Sequence, residues 1–321
     1  MTPIIRSLAL AVAVLLSGIP SVWAKSAVGG RSSFEFMKIS PSTRAVAVGE
    51  AYSAMGDDVG SIQYNPAGLA SILTNELNFT YLMLYQDLNF EHIAFAYPLG
   101  QAAPKIGGTL AASVNLLQFG SMDRVNDDAE VMGTFTSGNS LFTFSYARAF
   151  GDFVHVGFNL KYIRQQIDTV RGTAFNGDLG VVVLPPFEGL RVGVVARNLG
   201  GPVQDFDQPL VLNTSASYRM YELFSYHDDM CIAVECDIPI QPIEDRLGMR
   251  AGLEYDFKWV GFRTTLRGGY KFLDTDVDGV GLTVGGGFGI DIGGTILFLD
   301  YAFAPAGDFG SSHRMSLTAK F

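Results

Sequence analysis

From residue 75 onward the chain is built of long runs in which apolar and polar residues alternate one by one. Val154, Val156, Phe158, Leu160 and Tyr162 alternate with His155, Gly157, Asn159 and Lys161. Leu247, Met249, Ala251, Leu253, Tyr255 and Phe257 alternate with Arg246, Gly248, Arg250, Gly252, Glu254 and Asp256. Val260, Phe262, Thr264 and Leu266 face away from Arg263, Thr265, Arg267 and Lys271, and Met315, Leu317, Ala319 and Phe321 from Arg314, Ser316, Thr318 and Lys320. Successive side chains of a strand point to opposite faces, so a period of two means strands with one apolar and one polar face. Several runs reach ten or more residues, beyond the usual five or six. A soluble sandwich turns its charged face outward and its apolar face inward. Long strands with an aromatic-rich apolar face and a charged partner face also suit a membrane barrel, with lipid outside and a wet interior. Alternation alone is compatible with both.

Fourteen such segments can be counted, at residues 76–85, 89–99, 105–119, 140–150, 153–167, 173–184, 190–198, 210–221, 230–238, 245–257, 259–272, 280–290, 295–303 and 313–321. An even number returns the chain to the side on which it entered. Connections after even-numbered segments are mostly short (100–104, 151–152, 185–189, 258, 291–294), although 222–229 is not. Those after odd-numbered segments, 120–139, 199–209, 273–279 and 304–312, are longer and acidic, with 86–88 a short exception. Short turns on one side and long loops on the other fit a barrel whose ends both lie in the periplasm. Mean hydropathy is +0.23, with 24 Phe and 13 Tyr, yet beyond the leader no segment approaches a spanning helix. The net charge of −10 argues against nucleic acid, whose binders carry basic patches.

Residues 1–24 have the parts of a secretory signal: Arg6, an apolar run over 8–16, and Val22-Trp23-Ala24 as a small-residue end. The apolar run is shorter than the roughly 20 residues a spanning helix needs. No cysteine follows at the cleavage point, which argues against a lipoprotein. Phe321, ending an alternating strand, resembles the signal read by outer-membrane assembly machinery. An integral protein of a bacterial outer membrane is expected, in contact with membrane lipid.

Residues 25–74 differ from the rest. Residues 43–55 predict a short helix capped by Ser42 or Thr43 and ended by Gly56. Asp57-Asp58 follows, then Tyr64-Asn65-Pro66-Ala67-Gly68-Leu69, whose Asn-Pro and Gly mark tight turns. A turn-rich, partly helical stretch ahead of a barrel needs a place to sit, and the lumen offers one. These motifs, with Phe36-Met37-Lys38-Ile39 and the run Arg44-Ala45-Val46-Ala47-Val48-Gly49 before Ala51-Tyr52, resemble the N-terminus of FadL-like outer-membrane proteins. The resemblance is nearest to the PorV/PorQ-type branch and its uncharacterised spirochaetal relatives. It covers about the first fifth of the mature chain by motif and the remainder only by strand count. Glu50 departs from it, standing where many relatives have a small residue, which questions close packing there. The resemblance implies an all-β fold: an antiparallel transmembrane β-barrel of about 14 strands with a partly helical N-terminal hatch plugging the lumen. The domains are then a signal peptide at 1–24, a hatch at 25–74 with Asn65, Pro66, Ala67 and Gly68 as its motif, and a barrel at 75–321.

The function implied is passage of long hydrophobic molecules such as long-chain fatty acids, leaving sideways through a weakened strand. Gly107 and Gly108 are candidates for that weakening, although an ordinary bend or small-residue packing explains them equally well. Arg148, Lys161, Arg164, Arg263 and Arg267 are candidate contacts for a ligand carboxylate, a group that arginine holds well. Of these, Lys161, Arg263 and Arg267 face inward, together with Arg197 and Arg250. Pairing of these cations with Glu254, Asp256 or Asp300 is the plainer expectation. Asp274 to Gly279 opens like a calcium loop but has Gly285 where a bidentate Glu is required. No phosphate-cradling loop, nucleophile elbow or zinc-binding His pair occurs, so neither an enzyme nor a cofactor is expected. Cys231 and Cys236, five apart on one strand, point to opposite faces too far apart to bridge. Three readings remain: a transporter of hydrophobic small molecules, a PorV-like partner in protein secretion or surface attachment, and a general porin or structural barrel, the last disfavoured by the plug.

Overall fold

The computed structural model describes residues 34–83, 88–100, 106–126, 128, 130–201, 208–240, 248–273, 281–305 and 310–321. The signal sequence, the start of the hatch and the calcium-like loop lie outside these residues. Among the described residues sixteen strands follow one another: β1 (Glu76–Met83), β2 (Asn89–Pro98), β3 (Thr109–Gln118), β4 (Met122–Val125), β5 (Val131–Phe135), β6 (Ser137–Phe150), β7 (Val154–Ile167) and β8 (Val170–Val183). Then come β9 (Leu190–Leu199), β10 (Val211–Tyr221), β11 (Asp228–Pro239), β12 (Gly248–Trp259), β13 (Phe262–Leu273), β14 (Gly281–Ile292), β15 (Thr295–Pro305) and β16 (Ser311–Lys320). All but β4 and β5 form one closed antiparallel barrel of fourteen strands. Its seam joins first and last strands in register from Glu76↔Lys320 to Met83↔His313. Each of the fourteen expected segments coincides with a barrel strand to within a few residues. The expected loop at 120–139 instead holds the β4–β5 hairpin, which pairs only with itself.

The faces divide as the alternation requires. Leu160 is 61% exposed while Lys161, the next residue, is 5% exposed, so apolar side chains look out and polar ones in. On the outside, aromatic rings form cross-strand contacts. Tyr162 lies 6.2 Å from Phe142 and 5.0 Å from Phe175, and Phe262 stacks between Trp259 and Phe288. An outer surface of this kind is the lipid-facing surface of a transmembrane barrel. Among the described residues no helix is long and apolar enough to cross a membrane. Inside, Arg314, Lys271 and Glu254 rank with the largest fully buried side chains.

At one rim, residues 151–153, 260–261 and 293–294 join β6–β7, β12–β13 and β14–β15. The other carries the two-residue turn 168–169 between β7 and β8 and the β4–β5 hairpin. The wall is tallest at β6, β7 and β8, each of 14 residues. β3 pairs without interruption with β2 and β6 from Thr109 to Gln118. β8 starts at Val170 but meets β9 only from Gly177, where the register also shifts.

Residues 34–74 pack against the inner wall as short pieces: a 3-10 turn at Glu35–Lys38, a helix at Thr43–Ala47, another at Ser61–Tyr64 and a 3-10 turn at Pro66–Ser71. Ser42 caps the first α-helix, its hydroxyl accepting from the Ala45 amide at 3.2 Å. The helix is much shorter than the 43–55 expected. Gly49 and Glu50 both adopt left-handed backbone, with φ of 65° and 62°, and this ends the helix. The turn lets the chain backbone touch the wall. A Cβ on Gly269 would collide with the backbone of Val48 and Gly49, and one on Gly157 with that of Pro66 and Ala67. Close approach therefore occurs beside Glu50 in spite of its size. Gly157→Ala and Gly269→Ala should each displace this segment at a cost of about 1–3 kcal/mol. Limited proteolysis within residues 34–74 should accelerate while the barrel stays folded. Gly268→Ala, whose added methyl meets nothing within 4 Å, should cleave like the parent; equal rates for all variants would contradict this packing.

Candidate functional site

The lumen combines charged anchorage of the N-terminal segment with a packed apolar cluster above it. The anchorage centres on Arg44. Its Nε and Nη2 donate to the two oxygens of Glu254 on β12, each at 2.7 Å, and its Nη1 donates to Asp57 at 2.6 Å and Asp58 at 2.9 Å. Glu254 also accepts from Arg267 on β13 at 2.8 Å, and Arg267 reaches Asp300 on β15 at 2.5 Å. Lys271 donates to Glu50 at 2.8 Å, with Arg250 3.6 Å from the same carboxylate. Glu235 on β11 accepts from the Tyr52 and Ser53 amides at 2.9 and 2.8 Å. Glu76 at the seam accepts from the Val59 amide at 2.9 Å and pairs with Lys320 at 2.7 Å. Removing one member of a buried pair costs about 3–5 kcal/mol, because the other charge is left alone.

The opposite wall holds the segment with neutral groups. Asn65 Oδ1 accepts from the Ala67 amide at 3.1 Å, which starts the turn at Pro66–Ser71, and its Nδ2 donates to the Val181 carbonyl at 3.3 Å. Asn159 Nδ2 donates to the Ile62 carbonyl at 2.8 Å. Gly68 is needed where it stands, since a Cβ would meet the Gly56 carbonyl oxygen at 2.6 Å. The Asn65, Pro66, Ala67 and Gly68 motif is thus one contact between the N-terminal segment and β6–β8.

The remaining candidates occupy distinct places. Arg263 pairs with Asp256 at 2.5 Å, Arg267 with Glu254 and Asp300, and Lys161 with Asp178 at 2.8 Å. Arg197 donates to Asn213 at 2.8 Å and Arg250 pairs with Asp237 at 2.7 Å. Arg148 projects from the outer face, with its guanidinium 5.6 Å from the Phe150 ring centre. Arg164, also of outward parity, donates to Gln166 at 3.4 Å near the loop rim. Gly107 and Gly108 precede β3 in the turn leading into it, where the Leu99 amide donates to the Gly108 carbonyl at 2.8 Å. Cys231 and Cys236 are buried free thiols. Among the described residues no cluster of His, Cys, Asp and Glu could hold a metal ion.

The apolar cluster was not foreseen. At the loop end of the lumen, Leu82, Phe90, Leu117, Leu141, Ile163 and Ala174 turn inward from β1, β2, β3, β6, β7 and β8. Phe34 and Phe36 of the N-terminal segment pack among them, bordered by Met37, Ile39 and Phe119. Burying a side chain of this size is worth about 1.5–3 kcal/mol, and this cluster carries larger wall side chains than the others, where the segment packs mainly on wall alanines. A polar layer lies beneath it, including His92 and Asn115 at 2.6 Å. A signal was available: at Leu116-Leu117, Leu141-Phe142 and Tyr162-Ile163 both faces are apolar, always toward the loop end.

Acid should weaken the anchorage. Burial pushes the Glu50 carboxyl upward, but Lys271 and Arg250 outweigh it and hold the group at about 2, below the ordinary 4.5. Burial likewise opposes ionisation of Asp57, and Arg44 and Arg219 hold it well below the usual carboxylate range. A depressed value means stability present in full above the unfolded value and lost as pH falls through the folded one. Protease protection of residues 34–74 should therefore hold from pH 7 to 5 and decline from about 4.5 toward 2. Loss of protection between pH 7 and 5 would contradict this anchorage.

No protein-family model and no curated protein sequence matches the chain. Solved structures do. The toluene transporter TbuX of Ralstonia pickettii aligns over 88% of this chain and 97% of its own, with 12% identity and a TM-score of 0.59. The CymD monoaromatic hydrocarbon channel aligns over 90% and 98%, with 13% identity and a TM-score of 0.56. A Pseudomonas aeruginosa FadL homologue aligns over 87% and 97%, with 11% identity and a TM-score of 0.53. At these identities the likeness is one of fold, and in fold this chain is a FadL-like outer-membrane β-barrel.

Proposed function

We propose that this barrel passes hydrophobic small molecules across a bacterial outer membrane, with both termini on the periplasmic side and the long loops outside. The observation that carries the reading is the apolar cluster at the loop end, filled by Phe34 and Phe36, which becomes a chamber for a ligand arriving between the loops once those rings move. Two of the similar structures are described as a toluene transporter and a monoaromatic hydrocarbon channel, which supports a hydrocarbon ligand. Lys161, two residues along β7 from Ile163, is committed to Asp178. The chamber therefore suits uncharged hydrocarbon bodies, including the tail of a long-chain fatty acid. Residues 25–74 act as the hatch, and their ion pairs stop free diffusion through the polar lumen.

Phe34 is the internal occupant that a ligand displaces. It holds left-handed backbone, φ 61°, which for a bulky residue costs about 1–2 kcal/mol. Its departure would relieve that strain and free the space beside Ile163 and Ala174. For a sideways exit, the wall near the chamber is weakest between β8 and β9, where residues 170–176 lack pairing with β9. Asn176 donates to Gln208 there at 2.6 Å, a polar latch across the gap. Gly107 and Gly108 offer a second, turn-side weakness. A protein-partner role, as in the PorV-type branch, is favoured by exposed Val125, Val131 and Met132 on the β4–β5 hairpin. Phe321, whose amide and carbonyl both bond to Asn75 at the seam, is the contact offered to the assembly machinery.

Calorimetric titration of the purified barrel with toluene tests the chamber. The parent should bind, Leu141→Asp should weaken binding by about tenfold or more, and Phe34→Ala should tighten it by removing the competitor. Absence of binding by the parent, or equal binding by all three, would remove the reading.

A further inference from the structure

The outer surface of the tallest part of the wall changes character toward the loop end. On β6, β7 and β8, Phe142, Tyr162 and Phe175 stand side by side in the register and face out. Their ring centres lie 6.2 and 5.0 Å apart. A row of rings on a barrel exterior marks the edge of the hydrocarbon layer, where acyl chains give way to headgroups. One step further along the same face come Ser140, Arg164 and Thr173, and one step beyond these come Gly138, Gln166 and Arg171. Two arginines thus point outward from adjacent strands at headgroup level, directly above the rings.

Neither arginine is spent on a carboxylate of the protein. Both are exposed. Arg164 donates to Gln166 at 3.4 Å, and among the described residues no carboxylate lies within ion-pair distance of Arg164 or Arg171. Asp168, the acid in the turn between β7 and β8, is taken by Arg124 of the β4–β5 hairpin at 2.5 Å. Beside Arg164 opens a cavity of about 470 Å³. Leu116, Gln118, Gly138, Ser140 and Gln166 line it with Arg164, and the strand pairing puts all of them on one face of β3, β6 and β7. The space exists because Gly138, set between Gln118 and Gln166, has no side chain. A Cβ there would meet only the Leu117 carbonyl oxygen, at 3.6 Å. Arg148, which faces out at the opposite rim, lies instead over the ring of Phe150.

We propose that this face binds a phosphate-headed lipid of the loop-side leaflet, its phosphate on Arg164 and Arg171 and its chains along Phe142, Tyr162 and Phe175. Guanidinium holds phosphate through paired, charge-assisted hydrogen bonds, which are the strong ones. Ser140, Gln118 and Gln166 offer hydrogen-bond partners to the rest of the headgroup. The occupant is a lipid because the cavity continues the ring row: Leu116 extends the apolar surface into it, level with Ser140 and Arg164. The site looks into the membrane and not into the lumen, so it stands apart from the passage of hydrocarbons.

Native mass spectrometry of the full-length barrel in dodecyl maltoside, mixed with equal amounts of phosphatidic acid and phosphatidylcholine, tests this. The parent should retain phosphatidic acid in preference to phosphatidylcholine. The double variant Arg164→Gln with Arg171→Gln should retain about tenfold less of it. Gly138→Gln, which fills the cavity and keeps both arginines, should also retain less, whereas Arg148→Gln at the other rim should match the parent. Inorganic phosphate at the concentration of the lipid should not displace it. Parental retention by the double variant or by Gly138→Gln, an equal loss in Arg148→Gln, or displacement by inorganic phosphate would overturn the proposal.

Discussion

Everything in this molecule follows from closing the sheet at β1 and β16. A strand facing lipid has no water to satisfy its amides and carbonyls, so an open edge in a membrane costs several kcal/mol per group. The seam from Glu76↔Lys320 to Met83↔His313 removes that edge, and the paired backbone bonds between Asn75 and Phe321 extend it by one step. Once closed, each strand must place one face in lipid and the other in the lumen. The apolar face goes out, and the charged face is forced inward.

A lumen lined by Arg, Lys, Glu and Asp then needs either water or partners. Residues 34–74 supply the partners, and the two walls hold them by different physics. On the β10–β16 side the contact is mostly ionic, through Arg44 with Glu254 and Glu50 with Lys271. On the β6–β8 side it is steric and neutral, with the Asn65 turn seated on Gly157 and bonded to Val181. Ionic contacts place the segment and resist its removal, and bare backbone contacts set how close it can lie. The apolar cluster at the loop end includes this segment's Phe34 and Phe36, so its packing and the seating of the segment are coupled.

The barrel was legible because its signal is local. A period of two survives in a single strand such as β7, and each of the fourteen segments could be read without knowing its neighbours. The helix over 43–55 was overextended because small apolar residues favour it locally, whereas the left-handed backbone at Gly49 and Glu50 is set by contact with Gly269 and Lys271. Arg44 with Glu254, 210 residues apart, leaves no trace at either position. The same holds for the cations considered as ligand contacts. Parity separates Arg148 and Arg164 from the lumen, but only the assembled barrel shows that Arg263 and Arg267 are already paired. The chamber was hidden for another reason. An inward Leu141 or Ile163 beside an outward Phe142 or Tyr162 reads as an apolar run, and only the seating of all such breaks at one rim gives them meaning.

If the apolar cluster at the loop end is the ligand site, the protein's own Phe34 and Phe36 fill it until a ligand arrives. A crystal grown with bromobenzene, located by the anomalous signal of bromine, decides this. A bromine peak is expected among Leu82, Phe90, Leu141 and Ile163, with the Phe34 ring moved from its place. Bromine found only along the lipid-facing outer surface, with Phe34 and Phe36 unmoved, would contradict it.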